Sequence, residues 1–364
     1  MPRALIFDKP GFVDFKISGK TNVFARQVLI PESFFVELEK RIIEKYGEQG
    51  KKILYSIGKK FGYSFAQLGR FENINDHPGN EVKSWITIAS KFIEGTYASK
   101  IEQVIKLEDK QVEYRLVNFV ICRKLGYDFL LATGGAAGVI SWLLQDKEIE
   151  AFYHDSEFIN GEHNCIVTCA PYDVLVANKK EPFREINLDG LKQDIEQYNK
   201  FNSEVRIRYT KSFSNYLDAG IFSYEKGIIT FKSSNERFFL MEISGMYLLE
   251  IELKKKGFDS YIFETAFSVG MGIFGELIKD TQSVSELMSG LGWGEIITSA
   301  NKKPVDIIIN HFPWTNWYRD IDFLVLRGFL SGMLSKVYNR EIRLEKPHID
   351  IHNGYLTLIV GEER

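Results

Sequence analysis

The chain has 364 residues, 45% of them hydrophobic and 26% charged, which is the composition of a globular protein and excludes disordered and fibrous classes. Its formal net charge of -3 gives no broad basic surface, so nucleic acid binding is not expected. Three cysteines cannot all pair, and neither a membrane-spanning run nor a signal-peptide core is present, so we expect a cytoplasmic protein with no membrane span.

The first half of the sequence begins with a predicted hairpin and two predicted helices. Residues 11–16 alternate between apolar and polar side chains, as a half-buried strand does, and residues 26–30 form the partner strand. A helix over 32–46 ends at Gly47, and a second helix follows over 49–68. Apolar residues recur at helical spacing in both helices, so one face of each is expected to pack inward.

The remainder of the first half predicts a third helix, a pair of strands, a glycine-bearing helix and a closing hairpin. The third helix spans 84–93 and the two strands span 98–107 and 111–120. The glycine-bearing helix starts in the segment 128–138. Helices and strands therefore alternate in blocks, which is typical of an α+β fold.

The second half of the sequence repeats this order. The clearest sign is Asp-Phe-Leu followed by two glycines four residues apart, at 128–138 and again at 322–332. An internal duplication of this kind predicts two sister domains. We place the first domain at 1–175, a structured connector at 176–220 and the second domain at 221–364. The predicted fold is α+β, with two tandem antiparallel-sheet domains that are each covered by helices on one face.

The repeated glycines indicate a close helix contact. Gly134 and Gly138 lie on one helical face, as do Gly328 and Gly332 in the second copy, and small residues let another backbone approach closely. We expect each of these helices to lie against a sheet. A phosphate-binding turn at the first copy is the alternative, but its spacing is not that of a dinucleotide-binding motif.

Three smaller features leave alternatives open. Asp128 and Asp322 precede the glycine-bearing helices and are interpreted as helix caps in preference to catalytic acids. Cys122 is followed by two basic residues and is either a reactive thiol or an ordinary strand-end cysteine. In the connector, 187–198 is predicted to be helical and 205–209 to form a strand.

Four segments, drawn from the two copies, follow the order of one repeat unit. They are Leu-Gly-Trp-Gly-Glu-Ile-Ile at 291–297, Asn-His-Phe-Pro at 310–313, the Asp-Phe-Leu helix with its spaced glycines, and a hairpin ending in Gly-Glu-His-Asn-Cys at 161–165. In this order they resemble the 4-vinyl reductase domain family, in two tandem copies that cover nearly the whole chain. The resemblance implies an α+β sandwich, usually dimeric, of the kind found in aromatic-sensing regulators, in presumed hydrocarbon-binding proteins and in accessory proteins of chlorophyll synthesis.

The resemblance also implies a structural zinc in the hairpin that closes the first domain. Carried over by position, Cys165 matches the family's final cysteine, Glu157 an earlier cysteine and His154 an acidic ligand. The family's cysteine nearer the preceding helix is missing, because Leu131 and Ala132 occupy that neighbourhood. A polar hairpin without metal is the alternative, since the spacing of these residues matches no standard zinc signature.

Aromatic residues mark a candidate ligand site in each domain. Flat apolar walls with polar handles suit a small-molecule pocket or a partner surface, and a cap over the domain core is the alternative. The loop before the glycine-bearing helix is basic in the first domain, which suggests an anionic ligand there and an apolar one in the second. The predicted lining is Phe267, Met271, Phe274 and Phe329 in the second domain, with Trp314 and Trp317 at its mouth, and Phe61, Phe65 and Trp142 in the first.

The sequence contains no nucleophile motif, phosphate loop or metalloprotease motif. We therefore predict a non-enzymatic protein that binds or senses a small apolar or aromatic ligand and passes the binding event to a protein partner by a population shift. One alternative is a structural scaffold built as an internal pseudo-dimer. Another is an enzyme or accessory protein that acts on a tetrapyrrole-like substrate. The sequence leaves open whether the two copies pair with each other or with another chain as a homodimer.

Overall fold

The computed structural model describes residues 5–16, 24–68, 71, 74, 77–119, 129–160, 162–188, 211–225, 228–298, 307–315, 317–350, 352 and 355–360. Helices and antiparallel sheets both contribute, which confirms an α+β fold. The grouping into two tandem domains, each with one helix-covered face, stays a prediction. Asp128, Cys122, Gly161, the strand predicted at 205–209 and most of the helix predicted at 187–198 lie outside the described residues.

The first half of the sequence forms its elements in the predicted order. They are β1 (Leu5–Ile6), β2 (Val13–Lys16), β3 (Phe24–Pro31), α1 (Glu32–Leu68), α2 (Gly79–Thr96), β4 (Lys100–Lys106), β5 (Gln111–Val117), α3 (Leu130–Leu143), β6 (Ile149–Ile159), β7 (Glu162–Pro171) and α4 (Tyr172–Ala177). Helix α1 is interrupted at Gly47, whose φ of 54° and ψ of -133° are not helical. Glycine adopts this backbone conformation without a side-chain clash, so the predicted end of the first helix is confirmed there.

The second half repeats the same succession. Its elements are α5 (Phe213–Asp218), β8 (Phe222–Glu225), β9 (Ile228–Phe231), β10 (Glu236–Glu242), α6 (Ile243–Lys254), α7 (Asp259–Met271), a 3₁₀ turn (Phe274–Glu276), α8 (Thr281–Gly290), β11 (Glu295–Thr298), β12 (Ile307–Asn310), α9 (Leu324–Tyr338), β13 (His348–Asp350) and β14 (Tyr355–Leu358). Helix α8 begins with a capping box, in which Asp280 accepts the backbone N–H of Ser283 at 2.8 Å.

The described chain divides into two compact units. Unit 1 comprises Met1–Leu38, Gln193–Ser223 and Thr230–Arg364, and unit 2 comprises Glu39–Lys192 and Tyr224–Ile229. The first hairpin of the sequence thus belongs with the second half. Contacts inside unit 1 explain this, because Leu29 donates its backbone N–H to Leu291 at 2.9 Å and Gly11 donates to Ser289 at 3.0 Å.

The largest sheet is symmetric about its centre. Its strand order is β1-β2-β3-β10-β9-β8, and the two central strands are antiparallel. Leu29 pairs with Leu240, while Gln27 pairs with Glu242 and Pro31 with Phe238. Because β3 and β10 occupy equivalent places in the two halves of the sequence, this register is the one that a two-fold axis between the halves would produce.

The two smaller sheets share one topology. Unit 2 contains the order β4-β5-β7-β6, and unit 1 contains β11-β12-β14-β13, all antiparallel. Each strand of one sheet occupies the place of its sequence equivalent in the other. This shared order supports the internal duplication predicted from the sequence.

Helix α3 contacts strands β6 and β7, as expected for the first copy, but the small faces of both glycine-bearing helices pack against helices. A Cβ at Gly138 would lie 2.1 Å from the carbonyl oxygen of Lys59 in α1, and a Cβ at Gly332 would lie 2.2 Å from that of Phe267 in α7. At such distances a Cβ would force the neighbouring backbone to shift. The two helices therefore approach backbone to backbone in each half.

Asp322 does not cap helix α9, which corrects the cap predicted for it. Glu250 of α6 accepts the backbone N–H groups of Asp322 at 2.8 Å and Leu324 at 2.9 Å, while Asp322 forms ion pairs with Lys254 and Lys346. A carboxylate at a helix N-terminus satisfies its free donors, and here another helix supplies that carboxylate.

In the described part of the chain, no single helix is long and apolar enough to cross a membrane. One bent pair, Asp259–Glu276 with Thr281–Gly290, reaches that length and composition together, across a bend of 104°.

Candidate functional site

The aromatic residues predicted to line a pocket in the second half contact one another in unit 1. Phe274 and Phe329 are fully buried, with ring centroids 5.0 Å apart. Trp314 is also buried and donates its indole N–H to the carbonyl of Ile243 at 2.7 Å. Trp293, which the sequence analysis did not select, lies 5.7 Å from Phe329 and 5.9 Å from Trp314. These rings form an edge-to-face core cluster in which each ring fills space beside the next.

The other predicted residues of the second half are placed differently. Trp317 is buried and stacks on Tyr247 at 5.0 Å, so both tryptophans lie within the packed interior. Phe267 is half-buried, and Met271 is 41% exposed at the end of α7. The structure brings Phe274, Phe329 and Trp314 into one cluster and leaves Met271 at the surface.

The predicted residues of the first half lie close together in unit 2. Phe61 and Phe65 have ring centroids 5.7 Å apart, and Phe65 lies 6.0 Å from Phe71. Trp142 is half-buried and donates its indole N–H to the carbonyl of Phe71 at 2.9 Å. They form a second, smaller aromatic patch.

The residues predicted to bind zinc do not converge. His154 pairs with Ile166 across the β6–β7 hairpin, and Glu157 pairs with Asn164, so both side chains share the face of those partners. Cys165 lies between these partners on β7, and its side chain therefore points to the opposite face, where it is buried. No group of three or more His, Cys, Asp or Glu side chains that could hold a metal occurs among the residues that the structure describes.

The most unusual chemistry in unit 2 is an ion pair that is removed from water. Lys59 and Glu150 lie 2.8 Å apart, and 0% of either side chain is exposed. Tyr55, one helical turn before Lys59, donates its hydroxyl to Glu150 at 2.7 Å and accepts the backbone N–H of Ala151 at 2.8 Å. We call Tyr55, Lys59 and Glu150 the polar cluster.

Residues 180–188, an irregular segment after α4 that we call the strap, close the polar cluster. The backbone N–H of Glu185 donates to Glu150 at 2.7 Å, and Ser56 of α1 donates its hydroxyl to the Glu185 carboxylate. The ring of Phe183 lies 5.4 Å from that of Tyr55. Both carboxylate oxygens of Glu150 are therefore occupied, one of them jointly by Lys59 and the strap.

Burial dominates the electrostatics of the polar cluster. It raises the pKa of Glu150 and lowers the pKa of Lys59, and the opposite charge of each partner acts against the other's shift. Burial, reinforced by the charge of Glu150, also raises the pKa of Tyr55 well above its usual value. Burial raises the pKa of the nearby Cys169 to about 12, so this cysteine is a neutral thiol and not a nucleophile.

The equivalent positions in unit 1 follow from the glycine contacts. A Cβ at Gly138 would meet Lys59 and Tyr63, and a Cβ at Gly332 would meet Phe267 and Met271, so Lys59 corresponds to Phe267. These equivalent residues are 208 positions apart in the sequence, and the same offset pairs Tyr55 with Phe263.

The counterpart of Glu150 is fixed by a pair of hydrogen bonds. Ser141 donates to the carbonyl of Ile149 at 3.3 Å, and Ser335 donates to that of Ile342 at 3.3 Å. Glu150 therefore corresponds to Arg343. The guanidinium of Arg343 lies over the rings of Phe263 and Phe267, at 5.5 and 5.2 Å from their centroids. We call these three residues the sister positions.

The sequence analysis missed the polar cluster. A signal was present, because Lys59 lies on the apolar face of its helix, one turn after Tyr55 and next to two glycines of that face. Aligning the two halves by their glycines pairs Lys59 with Phe267. This alignment shows that a charged side chain in one half corresponds to an aromatic ring in the other. The same contacts pair Gly62 with Gly270.

A scan against models of protein families finds no match to this chain, and a search of curated proteins finds none either.

Proposed function

We propose that this protein is a non-enzymatic small-molecule-binding protein that passes the binding event to a protein partner, and that the polar cluster is its binding site. The observation that carries the proposal is the fully buried Lys59–Glu150 pair at positions where the other half of the same chain has Phe267 and Arg343.

The energetics of burial explain why this exchange matters. Moving two charges out of water costs several kcal/mol for each ion, and their attraction repays this only with excellent geometry. The sister positions demonstrate that the same backbone arrangement forms around two phenylalanine rings and a surface arginine. We therefore expect that the fold does not need the buried pair. Buried titratable groups that stability does not require are typical of binding and catalytic sites.

The arrangement suits binding more than catalysis. Lys59 donates to Glu150 and to the carbonyl of Lys147 at 3.0 Å, so its ammonium is held by two acceptors. Tyr55 is held between Glu150 and the backbone of Ala151. These groups provide a fixed pattern of donors and acceptors beneath a segment without regular structure. A ligand that changes how this segment is held would change the surface that a partner meets.

The test is a titration of the full chain with a panel of organic acids, amines, amino acids, phenols, fatty acids and isoprenoids. Tm is measured first, and the heat of binding is measured for every compound that raises it. The deciding variant is Lys59→Met with Glu150→Leu, which makes the cluster apolar. We expect at least one class to bind the natural chain and the double variant to lose that binding at least tenfold.

The matched control is Phe267→Leu, a change at the position that corresponds to Lys59 in unit 1. We expect it to leave binding unchanged. The proposal is wrong if no class in the panel binds, or if the double variant binds as tightly as the natural chain.

A second candidate function is a scaffold built as an internal pseudo-dimer. The register of β3 and β10 favours it, because the pairs on either side of Leu29 and Leu240 are those of a two-fold dimer interface. A scaffold of this kind already contains both halves of its dimer, so light scattering is expected to give the mass of one chain at micromolar concentration. A stable homodimer would contradict it.

A further inference from the structure

The strap contacts the polar cluster and the adjacent Ser56 through three different kinds of contact. Glu185 supplies a backbone N–H to Glu150 at 2.7 Å, and its carboxylate accepts the hydroxyl of Ser56. Phe183 supplies a ring at 5.4 Å from that of Tyr55. A donor, an anion and a flat apolar group are the features that a small ligand uses in a binding site. The strap therefore occupies the cluster in the manner of a ligand.

Leu188 anchors the end of the strap, since its side chain is 4% exposed, and the other contacts of the strap outside the cluster are weak. Arg184 forms a bidentate pair with Glu148 at 2.9–3.1 Å, but both side chains are about half exposed. Exposed pairs of this kind contribute little to stability, because water screens them. Lys180 lies 5.1 Å from the ring of Phe152, which adds a contact of similar strength. Release of residues 180–187, with Leu188 as the anchor, is therefore opposed mainly by the contacts of Phe183 and Glu185 with Tyr55, Ser56 and Glu150.

The groups that the strap leaves behind define what can replace it. Glu150 would lose one N–H donor, and Ser56 would lose an anionic acceptor. With Arg184 and Glu185 withdrawn, the charges around the cluster are those of Lys59, Glu148 and Glu150, which sum to one negative charge. A cationic nitrogen beside Glu150 balances that charge, and a carboxylate beside Ser56 replaces the one that has left.

The covalent structure of Glu185 sets the spacing of these two groups. Within one glutamate residue, three carbon atoms separate the nitrogen that contacts Glu150 from the carboxylate that contacts Ser56. We infer that the ligand of the polar cluster is a small amino-carboxylate with this spacing, as in glutamate or 4-aminobutyrate, and that it binds by displacing the strap. This inference rests on the proposed function, and it adds the ligand class and the segment that reports occupancy.

The experiment compares four probes on the full chain. Glutamate and 4-aminobutyrate carry both groups, glutarate lacks the nitrogen, and butylamine lacks the carboxylate. Affinity is measured by titration calorimetry, and hydrogen exchange is followed in the peptides that cover residues 180–188. We expect the two complete probes to bind at least tenfold more tightly than the two incomplete ones, and to increase exchange in the strap.

Two variants separate the strap from the ligand. Glu185→Gln weakens the hold of the strap on Ser56 without changing the cluster, so we expect the complete probes to bind severalfold more tightly. Ser56→Ala removes a hydroxyl that contacts both the strap and the ligand. We therefore expect hydrogen exchange in the strap to rise, while the affinity for the complete probes does not increase. Glu181→Gln, an exposed position on the same segment, is the matched control and is expected to change neither.

The outcomes are distinguishable. If a compound of another class binds in a manner that depends on Lys59 while exchange in the strap is unchanged, the inference is wrong and the proposed function stands. The inference is also wrong if glutarate or butylamine binds as well as glutamate. If nothing in the wider panel binds, both are wrong.

Discussion

The polar cluster of unit 2 and the sister positions of unit 1 occupy the same place in two copies of one framework. The helix contact is alike in the two copies, since a Cβ at Gly138 or Gly332 would meet a carbonyl oxygen of the neighbouring helix at 2.1 or 2.2 Å. The chemistry between the elements differs completely, because Lys59 and Glu150 correspond to Phe267 and Arg343. Backbone contacts between helices therefore define the fold, and the side chains around them are free to diverge towards separate roles.

The largest effect is expected when the polar cluster loses one charge. Lys59→Met leaves Glu150 buried without its cation, and breaking a buried pair in this way costs about 3–5 kcal/mol. Adding Glu150→Leu removes the second charge and produces an apolar cluster like that of unit 1. The double variant is expected to be at least as stable as the natural chain, because apolar replacement of a buried pair is neutral or stabilising by about 1–4 kcal/mol.

Urea unfolding of both variants, followed by circular dichroism, measures this difference. Phe267→Met at the sister position is the control, and its loss of ring contacts is expected to cost about 1–3 kcal/mol without any rescue by Arg343→Leu. Should the double variant be less stable than Lys59→Met alone, the buried pair would be a structural requirement and the comparison would fail.

The next largest effect is a pH dependence carried by unit 1. Burial raises the pKa of Glu250 from its usual 4.5 to about 7. The backbone N–H groups of Asp322 and Leu324 and the positive charge of Arg327 lower this pKa, whereas the negative charge of Asp322 raises it. Between pH 4.5 and 7 the folded state holds a proton that the unfolded state has lost. The contribution of this group to the free energy of unfolding therefore falls as pH rises through that range, by on the order of 3 kcal/mol, and is constant above it.

Glu250→Gln keeps this side chain neutral at every pH and tests the sign. The stability of the natural chain relative to the variant is expected to be greatest at pH 4.5 and to decrease up to pH 7. Glu276→Gln, at an exposed position of the same unit, is expected to show no such trend. A relative stability that increases with pH would show that Glu250 is ionised in the folded protein.

Glycine substitutions test whether the framework is shared. Gly138→Ala and Gly332→Ala each place a Cβ about 2 Å from a carbonyl oxygen, and overpacking of this kind costs about 1–3 kcal/mol. Gly135→Ala is the control within the same helix, since its Cβ would lie 3.8 Å from the nearest neighbouring atom, the carbonyl oxygen of Gly58. It is expected to be neutral or to stabilise by up to about 1 kcal/mol through helix propensity. Unequal losses at Gly138 and Gly332 would show that the two helix contacts are not equivalent.

Local patterns in the sequence were sufficient to predict the elements and their repetition. The helix end at Gly47 and the hairpins followed from residue types that act within a few positions. Trp314 and the zinc residues were harder, because burial and strand face depend on partners distant in the sequence. Asp322 was predicted to be a cap from its position alone, whereas Glu250 reaches the same N–H groups from another helix.

Lys59 illustrates the main limit of the sequence. A lysine on a helix is usually solvated, and only the glycine-mediated contact with α3 places this one in the interior. Its partner Glu150 comes from a strand 91 positions later, which no periodicity connects to the helix. The class of fold was therefore accessible from the sequence, while the candidate site required the three-dimensional comparison of the two halves.

The smallest effect is expected at Arg343, the sister position of Glu150. Its guanidinium covers two phenylalanine rings and pairs with Glu264 at 2.6 Å and Glu341 at 2.5 Å, but its side chain is 47% exposed. Cation–π and ion-pair contacts at exposed sites each contribute roughly 0.2–1 kcal/mol. Arg343→Met is therefore expected to cost about 1 kcal/mol, measured by urea unfolding.

Salt separates the two contributions of Arg343. In 1 M NaCl the Debye length falls to about 3 Å, so the ion pairs are screened while the stacking of the guanidinium on the rings persists. Arg343→Lys is expected to keep the ion pairs and to lose the stacking. The stability that it loses should therefore be a larger fraction of the stability lost by Arg343→Met at high salt than at low salt. If Arg343→Met destabilises the protein as much as Lys59→Met does, unit 1 also contains a charge that its fold requires. The equivalent positions Glu150 and Arg343 would then differ only in the sign of their charge.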